Sequence, residues 1–311
     1  MQKFPYDKKH LPFGHSGAVL DQEVMNFLNM IPLRFTEHMY DVNVTEEYLE
    51  RYHAWIRMSA LNLMAGLDDF PYKCYSHGTT ESFDKFYMKH KDRRFRCFRG
   101  EYLYHQLAWR DKFNWLYADD DCLDANDALV ISLPFSNTGN KHKLHEAALN
   151  ECDRLGIPVL LDCCYFGISS AIEFNFKHEC ITDIVFSLSK TFPVAHARIG
   201  MRLSKYDDDD TLFVYNKNSY VNRLGAYIGL QLMENYSPDF IYKKYKSQQL
   251  EFCKHLGVEP SSTVLFGIAP QDKYVEYDRG GGSPDAELNR LSFHKFLPMS
   301  VEEFAQCIKQ E

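Results

Sequence analysis

Two continuous apolar runs, Ala128-Leu129-Val130-Ile131-Ser132-Leu133 and Ile157-Pro158-Val159-Leu160-Leu161, constrain this chain more than any other feature. A strand that is apolar at nearly every position has both faces covered, which is the pattern of a parallel sheet between helices. Between the runs, residues 141–155 place Leu144, Ala147, Ala148, Cys152 and Leu155 on one helical face, and Gly156 ends the pattern. Strand, helix and strand within about thirty residues form a βαβ unit with a right-handed crossover. The expectation is an α/β chain with a mostly parallel sheet. At 311 residues, 45% of them hydrophobic and 25% charged, the chain has enough material for a sizeable core and one or two domains.

Ligands of α/β sheets sit off the carboxyl ends of the strands, so the residues that come after each apolar run matter most. Ile184-Val185-Phe186 leads into Ser187-Leu188-Ser189-Lys190, and Arg198 stands eight residues beyond Lys190, ahead of a second apolar run over 199–203. A lysine there can be partly desolvated beside a fixed cation, which lowers its pKa and makes it a usable amine nucleophile. The hydroxyls and the guanidinium suit a phosphate. A lone lysine after a strand is ordinarily a surface residue. Ser-x-Ser-Lys with an arginine eight positions on, however, arises by chance in only about three of a thousand chains this long, which favours chemistry over coincidence. In Ser76-His77-Gly78-Thr79-Thr80-Glu81-Ser82-Phe83, Gly78 permits a tight backbone and Thr79 or Thr80 can cap a helix. Helix-start N–H groups with threonine hydroxyls form an anion site.

The lysine stretch resembles the cofactor-lysine motif of the fold type I pyridoxal-phosphate enzymes, specifically the class I/II aminotransferases. The resemblance implies Lys190 as the Schiff-base lysine, with Ser187, Ser189 and Arg198 as phosphate ligands. Residues 78–83 resemble that family's Gly-x-Thr-Glu-Ala-Leu phosphate cup, which assigns Thr79 and Thr80 to the cup, with Ser82 and Phe83 in place of Ala and Leu. Pro134-Phe135-Ser136-Asn137-Thr138-Gly139 resembles the Asn-Pro-x-Asn-Pro-Thr-Gly loop. Ser136 stands at the asparagine position, so holding the cofactor's ring oxygen falls to Asn137 from a shifted backbone. Asp162-Cys163-Cys164-Tyr165 closes the second apolar run, 28 residues before the lysine. The resemblance assigns Asp162 to the ring nitrogen, keeping the ring an electron sink, and Tyr165 to the ring oxygen. After the short strand Phe95-Arg96-Cys97-Phe98, Tyr102 is the better match for the aromatic that stacks on the ring, and Tyr104 the second. Arg290-Leu291-Ser292-Phe293 resembles the family's strand whose arginine clamps the substrate α-carboxylate, a role for which a guanidinium fork is suited.

The resemblance keeps motif order over residues 75–205, loosens over 225–311, and is poor over 1–60. It implies an aspartate-aminotransferase-like fold in three parts. These are a remodelled or trimmed N-terminal segment (1–60), a large pyridoxal-phosphate-binding domain (61–235) and a small α+β C-terminal domain (236–311). The activity implied is an aminotransferase moving an amino group between an amino acid and a 2-keto acid, in a homodimer. A lyase, decarboxylase or cyclase using the same cofactor is the alternative, because one fold hosts many reactions. A non-catalytic, degenerate cofactor-binding module is a further one.

A net charge of −8 argues against a nucleic-acid partner. No apolar run reaches the length of a membrane-spanning helix, and the polar first fourteen residues, with Pro5 and Pro12, lack a secretory apolar region. Nine cysteines without a Cys-x-x-Cys spacing read as reduced thiols in the cytoplasm. Thirteen scattered histidines give no metal site, and His142 and His145 read as solvated. Acidic runs at 119–121 and 124–127 read as a solvated face and the run at 207–210 as a solvated turn, and Gly280-Gly281-Gly282-Ser283-Pro284 as a flexible loop or lid. Helices are expected over 20–30, 45–67, 222–235, 240–256 and 300–308, and C-terminal strands over 263–266 and 290–293.

Overall fold

The computed structural model describes residues 11–107, 116–117, 122–207, 210–278 and 288–309. The acidic run at 119–121 and the glycine loop at 280–284 lie outside the described residues. Three helices come first: α1 (Gln22–Met30), α2 (Phe35–Tyr40) and α3 (Val44–Arg57). Asp21 caps α1, accepting the Val24 N–H at 2.9 Å. Two strands and a helix come next: β1 (Leu63–Ala65), β2 (Tyr72–His77) and α4 (Thr80–Lys89). They lead to β3 (Arg94–Cys97), α5 (Leu103–Leu107), β4 (Leu116–Tyr117), β5 (Asp127–Ser132), α6 (His145–Leu155) and β6 (Val159–Asp162). The lysine region spans β7 (Glu173–Asn175), β8 (Ile181–Ser187) and β9 (Ile199–Ser204). The chain closes with α7 (Thr211–Lys217), α8 (Arg223–Asn235), α9 (Phe240–Leu256), β10 (Glu259–Pro260), β11 (Phe266–Pro270), β12 (Leu288–Ser292) and α10 (Val301–Lys309).

The central sheet runs β2-β9-β8-β6-β5-β3-β4. β5, β6 and β8 are mutually parallel, as are β3, β4 and β5, and β9 runs antiparallel to both its neighbours. The continuous apolar runs have the physical cause expected of them. Along β5, Leu129 and Ile131 join one apolar cluster while Ala128 and Val130 join another with Phe83 and Phe86 of α4. Alternate residues therefore point to opposite faces, and helices cover both. Burial of such strands is worth about 1.5–3 kcal/mol for each large side chain. A three-stranded antiparallel sheet, β10-β11-β12, is built from the C-terminal residues. The larger apolar cluster is continuous from Phe13 to Phe304 and contains residues of both sheets.

Several local expectations are corrected. α3 ends at Arg57 rather than near 67. The Met58 N–H turns back to Trp55 O at 3.1 Å, and Asp239 then captures the chain, accepting from Ser59 Oγ at 2.7 Å and from the Ala60 N–H at 2.8 Å. Residues 63–65 pair with β7 instead. Thr263 bridges Ser169, residues 264–265 turn, and the strand begins at Phe266. Asp127, expected on a solvated face, is buried at the start of β5, where its carboxylate accepts from the Arg94 guanidinium. His145 is buried, and His142 stacks on Phe98 at 3.9 Å between ring centroids, so neither is solvated. Burial pushes both imidazoles down to about 4, which keeps them neutral. Because Asp239 is buried and satisfies two donors from residues 59–60, Asp239→Ala should cost about 2 kcal/mol. Urea denaturation checks it, a midpoint equal to the parent's being the contrary result.

No helix among the described residues is long and apolar enough to cross a membrane, and no group of metal-ligating side chains is found among them. All nine cysteines are free.

Candidate active site

Sheet topology gathers the sequence motifs. β3, β5, β6 and β8 are parallel, so the loops after them open at one edge of the sheet. β9 runs the other way, which brings its first residues, and Arg198 just before them, to that same edge. β2 is antiparallel to β9, so Gly78 and Thr79 arrive there too.

The corner that gathers Arg198, Thr79, Thr80, Ser187 and Ser189 is built around two glycines. Gly200 of β9 faces Ser76 of β2 on one side and Ser187 of β8 on the other. Gly78 has φ +69°, the left-handed region that side chains disfavour. A Cβ on Gly78 would stand 2.2 Å from Arg198 Nη2, so the guanidinium lies directly on the glycine backbone. Arg198 Nη2 donates to His77 O at 2.9 Å and to Thr80 Oγ1 at 3.0 Å. Thr79 sits at the N-cap position of α4 without a side-chain capping bond, and its hydroxyl-bearing side chain is buried. The first N–H groups of α4 have no acceptor within the helix. On the other wall, Ser187 Oγ lies 2.8 Å from Ser189 Oγ, donates toward Ile199 O at 3.1 Å and accepts the Ser189 N–H at 3.2 Å. The Ser187 hydroxyl thus braces the loop, and Ser189 is the hydroxyl with capacity left for an anion.

Lys190 is half-buried, and its Nζ donates to Ser16 O at 2.7 Å. Asp162 ends β6, beside β8, and its Oδ1 accepts the Cys164 N–H at 3.0 Å. Burial first, and then the Glu101 carboxylate, push its carboxyl up to about 7, against the Cys164 N–H and Lys190. Burial pushes the Cys164 thiol up to about 12, so it stays neutral. The Tyr102 hydroxyl is raised by partial burial first and then by Cys164, Tyr165 and Asp162, which places it in the same neighbourhood. Tyr104 is committed elsewhere, donating to both oxygens of Asp84 at 2.8 and 2.9 Å.

A third group carries Arg290. It is buried on β12, donates from Nη1 to Ser136 O at 2.7 Å, and holds its Cζ 4.5 Å from the Phe266 ring centroid. Tyr165 packs edge-on against the same Phe266 ring at 5.4 Å. Asn137 packs against Gly100, where a Cβ would come within 2.8 Å of the Asn137 Cβ. Its Nδ2 reaches Leu288 O at 3.4 Å, and its Oδ1 is buried without a hydrogen-bond partner.

Three residues escaped sequence reasoning. Ser16 enters through a backbone carbonyl, which no side-chain pattern announces. Glu101 is buried beside Tyr102, and nothing in the string distinguishes it from a surface carboxylate. His294 packs on Gly17, accepts from or donates to Ser292 Oγ at 3.2 Å, and has its imidazole pushed down to about 3 by burial first and then by His15, Lys295, Lys190 and Arg290.

No protein-family model and no curated protein matches this chain. Solved structures do. A probable N-succinyldiaminopimelate aminotransferase from Thermus thermophilus superposes with a TM-score of 0.66 at 14% identity, covering 95% of this chain and 90% of that one. The histidinol-phosphate aminotransferase of Clostridium acetobutylicum gives 0.62 at 14% identity, over 95% of this chain and 97% of that one. A pyridoxal-phosphate-bound C-S lyase from Staphylococcus hominis gives 0.65 at 12% identity, over 93% and 88%. Parallel strands in this order, with one antiparallel strand behind the lysine loop, and superposition over nearly whole chains identify the architecture: this protein has the fold of the fold type I pyridoxal-phosphate-dependent aminotransferases.

Proposed function

We propose that the protein is a pyridoxal-phosphate-dependent aminotransferase that moves an amino group between an amino acid and a 2-keto acid. The observation that carries this reading is the convergence, at one sheet edge, of an amine (Lys190), a buried acid (Asp162) and a corner of phosphate donors (Arg198, Thr80, Ser189). The donor set suits the group. Arg198 lies on the bare backbone of Gly78, and Asn137 keeps a buried oxygen without a protein partner.

When bound, the cofactor supplies an electron sink for charge that develops at the substrate Cα. The chain's own residues do the rest. Arg198, Thr79, Thr80 and Ser189 would anchor the phosphate, in part through the start of α4, with Ser187, expected as a further ligand, instead bracing the Ser189 loop. Tyr102 would cover one face of the ring, Tyr165 and Asn137 would hold its oxygen, and Asp162 would serve its nitrogen. Lys190 would hold the cofactor through its amine and, once free, would take and return the proton at the substrate Cα as general base and acid. Arg290, braced by Ser136 O and Phe266, presents its guanidinium to the substrate α-carboxylate.

The division of the chain at residues 60 and 235 and a cytoplasmic location belong to the same reading; the nine free cysteines support the second. So does a homodimer. Met30, Leu33, Phe35, Tyr40 and Val42 stand exposed on residues 30–42, an apolar area that a second copy of the chain would cover.

The likeness to a C-S lyase motivates a second reading, a lyase or decarboxylase at the same site. One spectrum separates the two. Purified protein supplied with pyridoxal phosphate should be yellow, L-amino acids should bleach it, and a 2-keto acid should restore the colour. Bleaching without return on keto acid selects the second reading. No colour with excess cofactor overturns both.

A further inference from the structure

Glu101 is a buried charge that the proposed chemistry leaves unused, and a role for it rests on the cofactor reading. The residue lies four positions beyond β3 and is 3% exposed. Its carboxylate is held by donors of this chain. Oε1 accepts the Ser132 N–H at 2.7 Å, and Oε2 accepts both Ser132 Oγ and the Tyr102 N–H, the latter at 3.2 Å. A carboxylate that accepts several N–H and O–H bonds is stabilised in its ionised form.

Ser132 is the last residue of β5, and its register partner is Asp162, the last residue of β6. Opposed residues of neighbouring parallel strands point to the same face. Glu101, tied to the Ser132 side chain, is thereby set in the space beside Asp162, which is itself 6% exposed. Two carboxylates in one buried space do not both ionise easily. Since the donors favour charge on Glu101, the proton is left to Asp162, and its raised carboxyl agrees with that. Among the described residues, the other titratable groups around the pair include Lys190 from the loop after β8, Arg198 ahead of β9, which acts on Cys164 and Tyr102, Cys163, Cys164 and Tyr165 from the loop after β6, Tyr102 beside Glu101, and Tyr87 from α4. Both thiols and the Tyr102 and Tyr87 phenols are held up and stay neutral, and among the described residues Lys190 opposes Glu101 at Asp162.

We propose that Glu101 is a positioning residue for the cofactor's ring nitrogen: it keeps a proton on Asp162 in the empty pocket and, after that proton has passed to the ring, holds the ring in its cationic form. In the transfer the Asp162 O–H bond breaks and a ring N–H bond forms. Asp162 is left as a carboxylate against a ring cation, with Glu101 as a second negative charge behind it.

The experiment uses the cofactor-free full chain and Glu101→Gln. Difference infrared titration tracks the buried protonated carboxyl. Wild type should lose that band as pH rises through about 7, and Glu101→Gln should lose it about one pH unit or more lower. Ser132→Ala, which keeps the carboxylate but removes a donor that holds it ionised, should move the loss the other way, to higher pH, because the pair then binds its shared proton more tightly. Calorimetry of pyridoxal phosphate binding, in two buffers of different ionisation enthalpy, should show Glu101→Gln taking up more protons from solvent than wild type, by about one half to one. A protein that binds pyridoxal phosphate while all three chains titrate alike and take up equal protons overturns this proposal and leaves the cofactor reading standing. A wild type that binds none overturns both.

Discussion

Lys190→Ala should bind pyridoxal phosphate only through non-covalent contacts and lose transamination by about ten-thousandfold. Lys190 Nζ is fixed by Ser16 O at 2.7 Å, beside the strand end that carries Asp162. Among the described residues, Lys295 is the other lysine that acts on His294 at this site, and it is exposed. An alanine at 190 therefore leaves no amine in place to carry the cofactor, and none to move the proton at Cα. The folding cost should be small, about 1 kcal/mol, because a single hydrogen bond from a half-buried side chain is removed. The measurement is borohydride reduction and then mass analysis, with the urea midpoint as a control. Wild type should retain the cofactor mass on the peptide containing Lys190. Cofactor still fixed to the alanine protein, or turnover within tenfold of the parent, would remove Lys190 from its assigned role.

Strand ends are the most legible part of the sequence, because burial on both faces leaves a run apolar throughout and so marks where each strand stops. The apolar pattern alone places Pro134, Asp162 and Ser187 just after such stops, and Lys190 after one of them. Their assembly at a single edge is then a consequence of parallel pairing. The illegible part has two physical origins. Backbone groups leave no residue signature, so Ser16 O could not be anticipated, nor the turn that hands the end of α3 to Asp239 across 180 positions of sequence. Burial of polar side chains is decided by tertiary packing, so Glu101, His294, His142 and His145 look like ordinary polar residues in a string. Asn137 shows the same limit. Sequence can say that it stands one place from the expected asparagine, whereas the packing of its Cβ on Gly100 comes only from the fold.

Gly78→Ala carries the second large effect, and it separates the phosphate corner from the amine. A Cβ at this position would lie 2.2 Å from Arg198 Nη2 and 2.7 Å from Cζ, so the guanidinium must leave. Backbone strain adds to the clash, since φ is +69° and a left-handed residue with a side chain costs about 1–2 kcal/mol. A flexible side chain would ordinarily move away at little expense. Arg198 cannot do so without giving up His77 O and Thr80 Oγ1, and it is itself held at φ +56° between a short helical turn and β9. The displaced charge is the one cation among the proposed phosphate ligands. Loss of a charged hydrogen-bond donor is worth about 1.5–3 kcal/mol, so binding of pyridoxal phosphate should weaken by about a hundredfold. With cofactor supplied in excess, turnover should recover to within a few fold of the parent, because Lys190, Asp162 and Arg290 stay where they are. Arg198→Ala should weaken binding by a similar factor, and adding Gly78→Ala to it should cost little more, since both changes remove one contact. Fluorescence titration of the four proteins with pyridoxal phosphate measures the cycle. Additive losses would mean that Gly78 acts on something other than Arg198, and unchanged affinity in either single variant would place the phosphate elsewhere.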